Sequence, residues 1–244
     1  MKTKMHPERI LSLDIGGTGL KAALLNAQGE MLEPARRCPT PQGSTPAMLL
    51  ERVAELIAPF GEFDAISIGF PGAIKHNLIL TAPNLGTLNW QKTDLAKLAQ
   101  ERFQRPARLA NDATMHGLGI IVGEGIEVVL TLGTGMGFAL FRDGVPAPQI
   151  ELGRHVAGEE PSYDDFVGDA ALKRVGEARW KARVQETIRR IANLVNFDAL
   201  YMGGGNARLF GAAELPQGVK LAVNEAGLTG GARLWRDDVG LALK

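Results

Sequence analysis

The 244-residue chain is poor in cysteine and tyrosine, has no excess of either charge, and contains no apolar run long enough to cross a bilayer. A single cysteine, Cys38, excludes an internal disulfide and a cysteine-rich zinc cluster, and it suits a reducing compartment. Lys plus Arg and Asp plus Glu stand at 27 each, so no global field draws the molecule to nucleic acid or to an anionic membrane. Any anionic ligand must be held locally. The opening MKTKMHPER leads into a short apolar strand without a signal-peptide core, and the sequence predicts a cytoplasmic protein with no nucleic-acid or membrane partner. What the chain does have is 45% hydrophobic residues, enough for a sizeable core in one large domain or two small lobes.

Ile10 to Asp14 reads as a strand, Gly16-Gly17-Thr18-Gly19 turns it, and Lys21 to Leu25 returns as its partner. A third strand is expected over Met31 to Arg37. Thr45 as N-cap and Pro46 as first helical residue open a helix with Met48, Leu49, Val53, Leu56, Ile57 and Phe60 at spacings of three and four. Ala65 to Gly69 follows as a strand. The second half repeats this plan. Val128 to Leu132, the turn Gly133 to Gly137 and Phe138 to Phe141 echo the first hairpin, and Phe197 to Gly203 echoes Phe63 to Gly69. Two echoes in the same order predict two similar α/β lobes, residues 1–110 and 111–244, with ligands in the cleft between them near the strand ends.

Glycine-rich strand turns let backbone N–H groups approach a phosphate closely. The two loops, at Gly16 to Gly19 and Gly133 to Gly137, lack the Gly-Lys-Ser or Gly-Lys-Thr of a Walker loop, and the second precedes a strand, which argues against a dinucleotide fingerprint. Asp14 ends the first strand beside its loop, where a carboxylate can orient Mg²⁺ or a water bound to it. Lys21 is placed to balance phosphate charge or to stand solvated on its strand. Gly203-Gly204-Gly205-Asn206 suits close approach of a phosphorylated or flat group, or simply leads into a helix.

The run Leu13-Asp14-Ile15-Gly16-Gly17-Thr18-Gly19-Leu20-Lys21 resembles the phosphate-binding opening of the ROK family of sugar kinases and repressors. Gly69-Phe70-Pro71-Gly72, Thr81 to Leu85 with Trp90, Asn111-Asp112-Ala113, Leu130 to Gly137, Glu151-Leu152-Gly153 and Gly203-Gly204-Gly205 follow in the family's order. Within the family the resemblance is strongest to the polyphosphate glucokinase branch, and it covers about residue 8 to about residue 210. It implies a two-lobed actin-like ATPase (ribonuclease H-like) fold with duplicated lobes and an interlobe active-site cleft. It also implies phosphoryl transfer from polyphosphate or ATP, with Mg²⁺, to the 6-hydroxyl of a hexose. Asp112 matches the family's general base, which takes the proton of a poorly nucleophilic hydroxyl. Asn111 can fix adjacent hydroxyls and also cap the helix that follows over Ala113 to Val122, two compatible roles. Gly72, Asn84 and Glu151 carry over as sugar contacts, while Gly16, Gly17, Thr18, Gly19, Gly133, Thr134, Gly135, Gly137, Gly203, Gly204 and Gly205 fall to the donor. Dimeric relatives imply a homodimer.

Arg154 stands where the family has a sugar-binding histidine. Either His155 takes that place by a small loop shift, or Arg154 meets an acidic or phosphorylated sugar, or the site is impaired. The family's frequent zinc motif cannot form on Cys38 alone, so no structural zinc is expected. Glu159 or Glu160 is a candidate for a later sugar-binding glutamate, and the basic run from Lys173 to Arg190 is either a polyphosphate track or a solvated helix face. A repressor would need a helix-turn-helix before the first strand, and the few residues there cannot hold one. The alternatives kept are a sugar-binding pseudokinase and an ATP-dependent kinase for fructose, mannose or an amino sugar. A pantothenate-kinase reading of the same fold fits the ordered sugar-site motifs less well.

Overall fold

The computed structural model describes residues 7–222 and 226–243. The opening stretch Met1 to His6, read above for its lack of a signal-peptide core, lies outside the described residues. The chain divides into two units. The first runs through Gly119 and takes in the C-terminal residues from Ala226, and the second begins at Ile120 and runs to Ala222.

In the first unit, β1 (Arg9–Ile15) and β2 (Gly19–Asn26) form the expected hairpin. The third strand, β3, covers Arg36–Pro39 rather than Met31 to Arg37. Met31 makes only an isolated bridge to Leu25. Pro34 explains the delay, because it has no N–H to give a ladder. Helix α1 (Pro46–Ile57) begins as read, with the Thr45 hydroxyl accepting from the Met48 N–H. Leu49, Val53 and Ile57 are buried, whereas Met48 lies half exposed. Strands β4 (Ala65–Phe70), β5 (Ile74–Lys75) and β6 (Leu78–Ile79) come next, then α2 (Leu95–Phe103), β7 (Ala107–Asn111) and α3 (Asp112–Leu118). The helix after Asp112 stops four residues short of Val122, where Gly119, Gly123 and Gly125 break it. The sheet order is β3-β2-β1-β4-β7, with β1, β4 and β7 parallel.

The second unit repeats that order. Strands β8 (Ile126–Leu132) and β9 (Met136–Arg142) form a hairpin, β10 (Val145–Pro146) extends it, and β11 (Ala199–Gly203) and β12 (Val219–Leu221) run parallel to β8. The sheet order is β10-β9-β8-β11-β12. Three helices intervene: α4 (Tyr163–Val167), α5 (Asp169–Val175) and α6 (Glu177–Leu194). The basic run therefore spans two helices, separated at Gly176 by a φ of 78°. Trp180, Val184, Ile188 and Ile191 of α6 pack with Val128, Leu130, Leu200 and Met202, and the Trp180 indole N–H donates to the Val167 carbonyl at 2.8 Å. The buried carboxylate of Glu127 accepts from the N–H groups of Val122 and Gly123 and from the Tyr201 hydroxyl.

Both faces of the first sheet are covered, as continuous apolar strands require. Leu11, Leu13, Ile66 and Ile68 pack with the residues of α1 and α2. The alternate residues Ser12 and Ser67 point the other way, toward the returning C-terminal segment that carries α7 (Ala226–Thr229) and α8 (Asp237–Ala242). The Ser12 hydroxyl donates to the Leu228 carbonyl at 2.7 Å and that of Ser67 to the Gly231 carbonyl at 2.6 Å. The Trp235 indole N–H donates to the Ser67 oxygen at 2.9 Å, and the Arg108 guanidinium lies 4.5 Å from the Trp235 ring centre. These contacts, together with the packing of α3 on β4 and on α7, place the division after Gly119 instead of near residue 110 and make the second unit an insertion. Trp235→Ala is expected to destabilise the first unit by about 3 kcal/mol, by loss of a buried ring and a buried hydrogen bond. Denaturant unfolding checks this, and a midpoint unchanged from the parent would refute it.

Candidate active site

In the first unit the candidate residues gather at the C-terminal ends of three parallel strands, where ligands bind in open α/β sheets. Register sets Asp14 beside Gly69 and Phe70 beside Asn111. Asn111 caps α3: its Oδ1 accepts from the N–H groups of Ala113 at 3.0 Å and Thr114 at 3.3 Å. Its Nδ2 donates to the Gly72 carbonyl at 3.2 Å. The cap fixes the backbone from which Asp112 projects. The Asp112 carboxylate, at the first position of α3, accepts from the Ala113 N–H at 2.8 Å.

Gly72 has no room for a side chain, since a Cβ there would lie 1.9 Å from the Thr81 carbonyl oxygen. The β4 loop and the Thr81 to Leu85 loop are thus in direct backbone contact. Asn84 is exposed and lies against the first glycine loop, with its Cβ where a side chain on Gly17 would be. The loop itself closes by a Gly16 N–H to Gly19 carbonyl bond of 2.9 Å, and the Thr40 hydroxyl donates to the Gly16 carbonyl at 2.7 Å. The Lys21 ammonium donates to the Asp14 carboxylate at 3.0 Å. Asp14 thus stands in an ion pair at its strand end and is not a turn cap. His116 on α3 was not singled out by sequence. Burial holds its pKa below the ordinary histidine value, opposed by the Asp14 charge and reinforced by Lys21, and its Nε2 is buried without a hydrogen-bond partner.

In the second unit the Gly133 to Gly137 loop is held by backbone and by one carboxylate. The Gly133 N–H donates to the Gly135 carbonyl at 3.0 Å, and the Asp169 N–H donates to the Gly133 carbonyl at 2.9 Å. Asp164, also missed in the sequence, accepts from the Met136 N–H at 2.7 Å and sits directly beneath Gly135 and Gly153. Burial pushes the Asp164 carboxyl up from its ordinary range, against the Met136 N–H and the Arg154 charge. Gly204, at a φ of 85°, presses on the end of β8, where a Cβ would lie 2.3 Å from the Leu132 carbonyl oxygen. The Asn206 amide donates to Asp169 at 2.5 Å, so the triple-glycine loop and the α5 start are joined.

Glu151 is exposed and accepts from the Gln149 amide, just before a short turn over Leu152–Arg154. Arg154 lies 3.8 Å from the Asp164 carboxylate, and His155 is exposed with its Nδ1 3.3 Å from the Val156 carbonyl oxygen. The arginine in the histidine position thus reaches the carboxylate that supports the glycine loop. Glu160 is taken up by Arg174 at 2.8 Å and Arg183 at 3.1 Å.

Residues 10–159 match the model of the ROK family. This chain belongs to the ROK family. The polyphosphate glucokinase of Mycobacterium tuberculosis (strain CDC 1551 / Oshkosh) is 28% identical over 205 residues, 80% of this chain and 77% of that protein. The polyphosphate glucokinase of Mycobacterium leprae (strain TN) is 26% identical over 209 residues, 82% of this chain and 64% of that protein. Among solved structures, the inorganic polyphosphate/ATP-glucomannokinase from Arthrobacter sp. strain KM superposes with a TM-score of 0.81 at 30% identity, covering 93% of this chain and 98% of that one. A ROK family glucokinase from Streptomyces griseus gives 0.74 at 19% identity over 93% of this chain and 98% of that one, a likeness of fold. In sequence and fold this member is a glucokinase-like phosphotransferase with the two-lobed actin-like ATPase fold. No helix among the described residues is long and apolar enough to cross a membrane.

The raised Asp164 pKa carries a sign. Its ionised form is penalised by folding, so its contribution to stability is fullest below the ordinary carboxylate value and is lost as pH rises through the raised one. Asp164→Asn keeps an acceptor for Met136 without that penalty. The variant is expected to gain stability relative to the parent as pH rises above the ordinary carboxylate value of about 4, read by denaturant titration; a difference constant with pH would count against it.

Proposed function

We propose that this protein is a hexose kinase that transfers a phosphoryl group from polyphosphate or ATP to the 6-hydroxyl of glucose, with Asp112 as general base. The observation that carries the proposal is the placement of Asp112. It begins a helix at the end of a parallel strand, with its neighbour Asn111 tying that point to Gly72 and the first glycine loop close by through Asn84. A carboxylate so fixed can take the hydroxyl proton as the phosphoryl group arrives. The Asn111 amide orients Asp112 and the Gly72 carbonyl, and the second N–H of its Nδ2 is a donor for a sugar hydroxyl. In this reading Gly72, Asn84, Glu151 and His155 serve the sugar, and the backbone of the three glycine loops, with Lys21, serves the donor phosphates.

Mg²⁺ fits as a companion of the donor. Among the described residues no three carboxylates, histidines or cysteines cluster as a resident cage, but Asp14 offers one carboxylate at the phosphate loop. One carboxylate plus phosphate oxygens and water is the usual magnesium environment. When bound, the ion neutralises phosphate charge. The Lys21–Asp14 pair would hold that carboxylate aimed along the loop. The same reading makes the enzyme cytoplasmic and homodimeric.

A pseudokinase is the second reading, and Arg154 motivates it, since its side chain turns to Asp164 while His155 lies exposed. A panel of glucose, mannose, fructose and amino sugars against ATP and polyphosphate, followed by mass spectrometry of the sugar phosphate, decides between the two. Glucose phosphate is the expected product, and Asp112→Asn should lower turnover by about 10²–10⁴-fold while leaving glucose affinity within a few-fold. Sugar binding without turnover by the parent with any donor would establish the pseudokinase.

A further inference from the structure

A polyanionic donor needs cations beyond the loop that holds its terminal phosphate, and the basic run of α5 and α6 is the place the sequence offers. Part of its charge is matched within the second unit, while Lys173, Arg179 and Arg189 are exposed with no ion pair among the described residues. Arg174 and Arg183 pair with Glu160, Lys181 lies 3.0 Å from both Glu177 and Glu214, and Arg190 lies 2.5 Å from Glu186.

The β2–β3 edge of the first unit differs in that its cations adjoin the Gly16 to Gly19 loop. Antiparallel register sets Asp14 opposite Lys21 and Lys21 opposite Arg37, so the three side chains form one row on one face of the sheet. Asp14 neutralises Lys21, but Arg37, exposed on the terminal strand, has no ion pair among the described residues. Two cations directly opposite each other across strands repel, and an anion lying along them removes that cost. The row adjoins the phosphate loop. Two residues further along the same ladder, Gly19 pairs with Pro39, and the next residue, Thr40, is bonded to the Thr18 and Gly16 carbonyls. Two strand residues span about 7 Å, too far for one phosphate and within reach of a chain of them.

Arg36, alternate to Arg37 on the strand, lies over the Phe60 ring at 5.5 Å, and both arginines line a hollow of about 460 Å³ with Arg52, Cys38, Glu55, Leu56 and Pro59. Arg52 is partly matched by Glu55 at 2.6 Å. Arg36 has no carboxylate partner among the described residues. The edge therefore carries two guanidinium groups whose planar forks suit phosphate oxygens.

We propose that Lys21 and Arg37, continued around the strand edge by Arg36 and Arg52, form an anion track. It binds phosphate groups of an inorganic polyphosphate chain beyond the one held at the Gly16 to Gly19 loop. The assignment rests on the kinase reading only in taking polyphosphate as donor. A competing account exists in the same residues, because charged edge strands also prevent sheets from pairing with other chains.

The test combines Arg36→Ala and Arg37→Ala in one protein, both positions being exposed. Binding of long-chain polyphosphate, tripolyphosphate and a single-stranded oligonucleotide is measured at fixed ionic strength, together with KM for polyphosphate and for ATP. Expected is a rise of about tenfold or more in Kd and KM for long-chain polyphosphate, with tripolyphosphate binding and the KM for ATP changed less than about twofold. Equal losses for ATP and polyphosphate, or no loss for either, would overturn the track and leave edge protection as the explanation. Binding of the oligonucleotide by the parent as tightly as polyphosphate would also overturn it. ATP-driven turnover with no polyphosphate binding sinks the track and spares the kinase. Loss of polyphosphate binding in the variant, with no sugar turnover by the parent, spares the track and sinks the kinase.

Discussion

The amide of Asn111 is the interaction on which the first unit's candidate site depends. One planar group accepts from two N–H donors at the start of α3 and donates to the Gly72 carbonyl on the β4 loop. It thereby fixes a helix start, a strand end and a neighbouring loop at once. No apolar contact could do this, because dispersion is non-directional, whereas an amide with opposed donor and acceptor ends imposes a direction on each partner. Asp112 inherits its position from that bond. Gly72 completes the arrangement by close backbone packing on Thr81, which only a residue without Cβ permits.

The two units solve one problem with different materials. Each is a hairpin continued by parallel strands, and each puts a glycine loop in its hairpin turn and a second loop at the end of the next strand. In the first, charged and amide side chains crowd the strand ends: Asp14, Lys21, Asn111 and Asp112. In the second, the glycine loop is closed by its own backbone, and support comes through Asp164 and Asp169. Backbone dipoles held rigid bring no side-chain entropy cost on binding a phosphate, which suits a donor site.

A net charge of zero conceals an uneven distribution. The α6 surface is dense in arginine and lysine, yet much of that charge is matched locally by Glu160, Glu177, Glu186 and Glu214. The short β3 edge carries fewer cations, and its two guanidinium groups have no carboxylate partner among the described residues. Arg154 follows the same logic, since its meaning comes from the partly buried Asp164 carboxylate it faces.

Much of the architecture was legible in the sequence, because the signals are local. Alternating and continuous apolar runs named β1, β2, β4, β8 and β11, Thr45-Pro46 opened α1, and the ordered glycine turns announced the repeat. Asp112 and its neighbours could be named from the order of short motifs, and Asn111 could be given two compatible roles, of which the cap is seen in the geometry. What sequence could not supply were pairings between distant positions. The return of residues 226–243 to Ser12 and Ser67, the support of the glycine loop by Asp164, the burial of His116 near Asp14 and the alignment of Lys21 with Arg37 all join residues that no period or spacing connects. Sequence fixes which residues can accept, donate or carry charge. Only folding decides which of those charges meet a partner, because desolvation and direction arise when the chain is packed.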